Sequence, residues 1–188
     1  MKKEYKALED LVRTRYNSVA WTHKTQEKQA EIYDWKYSVL AIINIVAAAL
    51  TSAGIVTVSF TNETWLKTAS SLVSFITICI SSLLKAFNLQ EMAKASKASA
   101  TKMLALRDDL QTLLLKIRQG KNTVDELTAE FEELQKQVHI AYQEAPQTSK
   151  KALKKAEKAL KITKDNSSSD DEIDMMLPES LRRGADDD

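Results

Sequence analysis

The chain has 188 residues, a formal net charge of +1, 44% hydrophobic residues, three glycines, two prolines and one cysteine. So few glycines exclude a phosphate-cradling Gly-rich loop and suit long uninterrupted helices. The lone Cys79 excludes an internal disulfide and a multi-cysteine metal site, and reads as a small apolar filler.

Residues 1–35 are polar and predict a cytoplasmic N-terminal amphipathic helix. Tyr5, Val12, Val19 and Tyr33 recur at multiples of seven, with Leu8, Tyr16, Ala30 and Tyr37 alongside, so one apolar stripe runs into the next element. That stripe needs a partner to cover it.

Residues 36–87 predict a transmembrane hairpin with spans at about 37–60 and 66–86, since each uncharged stretch approaches the ~20 apolar residues that a bilayer core demands. The second stretch is the more polar, and Lys67 and Lys85 bracket it at the two surfaces. Asn62, Glu63 and Thr64 leave room only for a tight turn. Basic residues crowd both flanks, from Lys2 to Lys36 and from Lys85 to Arg107, while the turn has none, which places both termini on the cytoplasmic side. Tyr33, Trp35 and Tyr37 mark one interface and Trp65 the other. The first span starts after about 36 polar residues, too late for a cleaved signal, so the hairpin is expected in the mature protein.

Residues 88–143 predict a cytoplasmic antiparallel helical pair. The helix of the second span is expected to continue without a stop through Leu89, Ala93, Ala100, Met103, Leu110, Leu114 and Ile117, to a Gly120 cap. Thr123 and Glu126 then form a capping box for a helix carrying Val124, Leu127, Phe131, Leu134 and Val138. Ala145 and Pro146 interrupt it, and residues 144–164 predict a short Lys-rich helix capped by Thr148 or Ser149, with Ala152, Leu153, Ala156 and Leu160 as its apolar strip.

Residues 165–188 predict a disordered acidic tail. Nine acids and two bases give this tail −7, which leaves +8 on residues 1–164. Ile173, Met175, Met176, Leu177 and Leu181 form either a docking motif or part of a solvated tail. The seven lysines of Lys150–Lys164 face three readings: a solvated helix, a contact with the tail or a partner, or a contact with anionic lipid. No aromatics interleave with them, so nucleic acid is not an expected partner. The fold class is all-α: a two-transmembrane helical hairpin with long cytoplasmic helices forming a bundle or coiled coil.

Within the second span, Ser70, Ser74, Thr77 and Ser81 share an arc of about 80° with Lys67 and Lys85. Such a stripe can line a hydrated path in an oligomer, with Ile78 at its edge as a dewetting gate. It can equally pack against the first span, where Ala41, Asn44, Ala48 and Thr51 offer a small face. Asn44 should face protein or water in either case. Ser82 and Lys85 match S-x-x-K, but lack the companion motifs of the enzymes that use it. The sequon Asn62-Glu63-Thr64 hugs the membrane, and His23 and His139 are isolated from any ligand set. No catalytic, cofactor-binding or metal-binding residue is predicted, and the chain is not expected to be an enzyme.

In the order of its elements the chain resembles the SLATT family, the SMODS and SLOG-associating two-transmembrane effector domains. Arg15, Ala20, His23, Lys28 and Ala30 before the first span, the paired spans, Ala105–Leu110, and the turn Ala145–Ser149 followed by Ala152 and Ala156 carry the resemblance. It covers roughly Leu11 to Lys164. The resemblance implies a membrane effector of a bacterial antiviral or conflict system that oligomerises and permeabilises the inner membrane, causing growth arrest or cell death. Its implied partners are the lipid bilayer, further copies of the chain and a nucleotide-signalling protein. From another functional class, the same elements suit a non-conducting membrane-anchored scaffold or signalling adaptor, or a small housekeeping channel.

Overall fold

The computed structural model describes residues 3–60, 64–165 and Ile173. Residues 61–63 of the expected tight turn and nearly all of the expected disordered tail lie outside the described residues. Within them the protein is all-α: α1 (Lys3–Phe60), α2 (Thr64–Phe87), α3 (Leu89–Gln119), α4 (Val124–Glu144) and α5 (Lys150–Lys161).

Helix α1 runs unbroken for 58 residues, about 87 Å at 1.5 Å per residue. No proline interrupts it and Gly54 is its one glycine. It carries the polar N-terminal segment and the first span as one rod, so any movement of one is transmitted to the other. Its N-terminal half is covered chiefly by α3, with α4 and α5 completing the bundle. Val12 and Val19 are fully buried, and Leu8 nearly so, against Met103, Leu110, Leu113 and Ile117 of α3 and Leu127, Phe131 and Val138 of α4; Ala30 is buried farther along α1. Tyr5 and Tyr16 pack at the margin of this core.

The α3–α4 pair is antiparallel. Lys116–Glu130 and Lys102–Glu144, each 2.7 Å, hold its two ends at a constant register. Between the helices Gly120 adopts φ 63, a left-handed conformation that glycine enters at no steric cost, and its N–H closes on the Lys116 carbonyl. Thr123 and Glu126 form both halves of the capping box. The far end of α1 is tied to this turn: Tyr5 Oη donates to the Asn122 carbonyl at 2.9 Å, and Arg118 pairs with Glu9 at 2.9 Å.

Three expectations are corrected. The second span does not run on into α3: Asn88, at φ 41, breaks the helix after Phe87. Asparagine is among the few residues that tolerate this left-handed region, and the break re-aims α3 so that it can lie along α1. On α5 the buried strip is Ala152, Ala156 and Ala159, whereas Leu153 is half exposed. Three alanines let α5 approach the α1 backbone closely, which a leucine on that face would prevent. On α1 Ala47, and not Ala48, belongs to the small face, as the hairpin shows.

Candidate functional site in the membrane hairpin

The spans expose what a protein in water would bury. Ile42, Ile45, Val46 and Leu50 of α1 and Leu72, Phe75 and Ile78 of α2 all present more than half of their surface. A patch of this extent marks an interaction with lipid or another protein. Both helices are long and apolar enough to cross a membrane, and almost none of either apolar window is buried. Lys67 and Lys85, both exposed, stand about 27 Å apart along α2, close to the ~30 Å thickness of hydrocarbon.

The face that α1 turns to α2 is built from Asn44, Ala47, Thr51 and Gly54, at helical spacings of three and four. Of the expected small face, Ala41, Asn44 and Thr51 lie on this side, whereas Ala48 is exposed and Ala47 is buried in its place. From α2 the half-buried positions are Leu66, Ser70, Val73, Ser74, Thr77, Ile80 and Leu84, so apolar side chains share the seam with the hydroxyls. At Gly54 the two helices are in close contact: an added methyl group would collide with Ser70 Oγ and lie 3.4 Å from Ser70 Cβ. Further in, Ser81 Oγ donates to Asn44 Oδ1 at 3.0 Å, satisfying the one amide oxygen of the first span. Other hydroxyls close on the carbonyl four residues back: Thr51 on Ala47 and Thr77 on Val73, each at 2.9 Å, and Ser82 on Ile78 at 2.8 Å. Hydroxyls of this kind can sit in hydrocarbon without a stranded donor.

Of the candidate residues, the structure thus brings Ser70, Ser74, Thr77 and Ser81 together with Asn44 along one seam. It leaves Ile78 pointing outward at 64% exposure, and Lys67 and Lys85 at the two ends. Cys79 is also exposed, on the apolar outside of α2.

A second set of polar residues secures the extramembrane end, and sequence reasoning missed it. Gln26 and Gln29 on α1 are almost fully buried. Gln26 Nε2 donates to the Pro146 carbonyl at 2.7 Å, and Gln29 Oε1 accepts from the Ser149 backbone N–H at 2.8 Å. These two glutamines therefore hold the Ala145–Ser149 turn from both ends. Ser149 itself caps α5 by accepting from Ala152 N at 3.2 Å. At the other end of α5, Lys161 lies 5.7 Å from the centre of the Trp21 ring. Lys24, nearly buried, pairs with Glu27 at 2.9 Å and Asp165 at 3.1 Å. Burial opposes its charge, but the two hydrogen bonds outweigh burial and hold its pKa above the ordinary lysine value. The signal for this clasp was the pair of amides at i and i+3 within a stripe otherwise apolar.

Beside the clasp a cavity of about 370 Å³ opens between α1 and α3, lined by His23, Glu27, Glu31, Asp34, Lys97 and Thr101. His23 Nδ1 is buried there without a hydrogen-bond partner. Burial holds the imidazole pKa below 6.5, with Arg107 and Lys24 acting in the same direction and Glu27 and Asp108 opposing. His139 is exposed and meets Gln143 at 3.1 Å. Among the described residues, no three His, Cys, Asp or Glu side chains are grouped to hold a metal ion.

Comparison with known protein families gives a match to the model described as SMODS and SLOG-associating 2TM effector domain family 4, over residues 8–172. The matched stretch takes in the bundle, the hairpin and the clasp. No curated protein and no solved structure matches.

Proposed function

The chain belongs to family 4 of the SMODS and SLOG-associating two-transmembrane effector domains, and from that premise we propose that it is a membrane effector of a bacterial antiviral or conflict system. In this reading it assembles in the inner membrane, with both termini in the cytoplasm, and permeabilises it, causing growth arrest or cell death. The observation that carries the proposal is the hairpin itself: two helices bare on the lipid side, with hydroxyls and one amide gathered along their seam.

A two-span subunit cannot enclose a path alone, so conduction requires several copies. Within one copy Ser81 meets Asn44 across the seam, and Thr51 and Thr77 close on carbonyls of their own helices. In an assembly, separation of α2 from α1 would turn Asn44, Ser70, Ser74, Thr77 and Ser81 toward a shared lumen, where hydroxyls can substitute for hydration water. Ile78, already outside the seam, would then meet its counterparts and close the path by dewetting. The family's description as an effector domain supports a non-enzymatic role, and in this reading the trigger is a nucleotide-signalling partner.

The test is flux from liposomes containing the purified chain. Release of ions or a small dye together with assembly supports the effector, and Ile78→Ser should raise the basal leak several-fold. An assembled protein that releases nothing would instead favour the membrane-anchored scaffold.

A further inference from the structure

We propose that the N-terminal half of α5 is a lipid-contact surface, on which Lys150, Lys151 and Lys154 bind anionic headgroups of the leaflet that faces the bundle. The inference rests on the two-span reading of the hairpin and adds a second, peripheral membrane contact to it.

Height decides the matter. Gln29 holds the Ser149 backbone, and Gln29 lies only seven residues, about 10 Å, below Lys36 at the start of the first span. Helix α5 then descends beside α1, since its last turn meets Trp21. Its first turn is therefore its uppermost part. Cα–Cβ bonds tilt toward a helix N-terminus, so the lysines of this turn lean toward the bilayer. An ammonium at the end of a four-carbon stem can cover most of that gap, and the rest lies within the ~8–10 Å screening length at physiological salt.

Composition agrees. The face of α5 away from α1 carries Lys150, Lys151, Lys154, Lys155 and Lys158, all exposed, and none of the five forms an ion pair with a described residue. Leu153, half exposed among them, offers an apolar side chain to the interface. The first turn of α5 holds two lysines and no acid, the opposite of what the helix dipole favours. An anionic surface above that turn reverses the sign of this local repulsion. Polybasic segments next to a span are drawn to such a surface, each lysine adding to the attraction.

The full chain, with Cys79→Ala and a fluorophore at Leu153→Cys, would be placed in nanodiscs of phosphatidylcholine alone or of equal parts phosphatidylcholine and phosphatidylglycerol, each containing headgroup-nitroxide lipid. We expect quenching several-fold stronger with phosphatidylglycerol, reduced by added salt and abolished by K150E/K151E/K154E. That triple variant should fold as well as the parent, because acids at 150 and 151 suit the dipole of the first turn and the exposed Lys154 forms no ion pair with a described residue; retained thermal stability checks it. Equal quenching in the two lipids, or quenching unaffected by charge reversal, would overturn the proposal. A second label at Ile43→Cys with chain-nitroxide lipid separates the two readings. If Ile43 is quenched and Leu153 is not, only the α5 contact fails; if neither is quenched, the hairpin fails first.

Discussion

Gly54 faces Ser70 across the seam of α1 and α2; the Ser70 hydroxyl can turn away from an added methyl group, but a large side chain at 54 has to push the helices apart. Gly54→Leu should separate the helices at a cost of about 1–3 kcal/mol, the usual range for overpacking, read as a widened distance between spin labels on the two spans. At the clasp, Gln29→Leu removes the acceptor of the Ser149 N–H and leaves that donor unpaired, a loss of about 1–3 kcal/mol. Hydrogen exchange in α5 should rise while exchange in α3 and α4 stays unchanged. His23 supplies a pH dependence. Its folded pKa is depressed by burial, so the stability it confers is present in full above the unfolded value of 6.5 and is lost as pH falls toward and through the folded value. Acid should therefore destabilise the bundle below about pH 6.5, and His23→Gln should flatten that limb of a stability–pH curve.

Elements were legible where periodicity and caps agreed, and least where geometry depended on a single backbone conformation. Thr123 and Glu126 announce the start of α4 because both halves of the capping box occur at the required spacing. Thr123→Ala should cost about 1 kcal/mol and lower the melting temperature by roughly 2–4 °C. Asn88 could not be read as a stop, since an apolar stripe on both sides of it is compatible with one continuous helix. Only the left-handed φ at Asn88 reveals the break. Ala47 takes the place expected of Ala48 on α1 for a similar reason: Ala47, Ala48 and Ala49 are equivalent as residues, and only the packing of α2 selects among them. Gln26 and Gln29 escaped notice because an exposed amide and a buried one look alike in a sequence; burial follows from the turn they hold.

For the whole molecule, a single 58-residue helix joins a packed bundle to a bare hairpin, so events at the clasp or core reach the spans through one continuous rod. The membership of the effector family and the all-α hairpin-plus-bundle plan were both legible from the order of elements. The seam was legible only in part, because a hydroxyl stripe on one helix does not say which neighbour it faces. In the proposed topology the chain enters lipid twice and returns, keeping the bundle and both termini on the inner side. On a Cys79→Ala background, single cysteines at Glu63, Lys121 and Lys150 can be labelled in intact cells with a membrane-impermeant maleimide. Glu63→Cys should be labelled from outside, and Lys121→Cys and Lys150→Cys only after the membrane is opened; labelling of all three from outside, or of none until lysis, would rule that topology out.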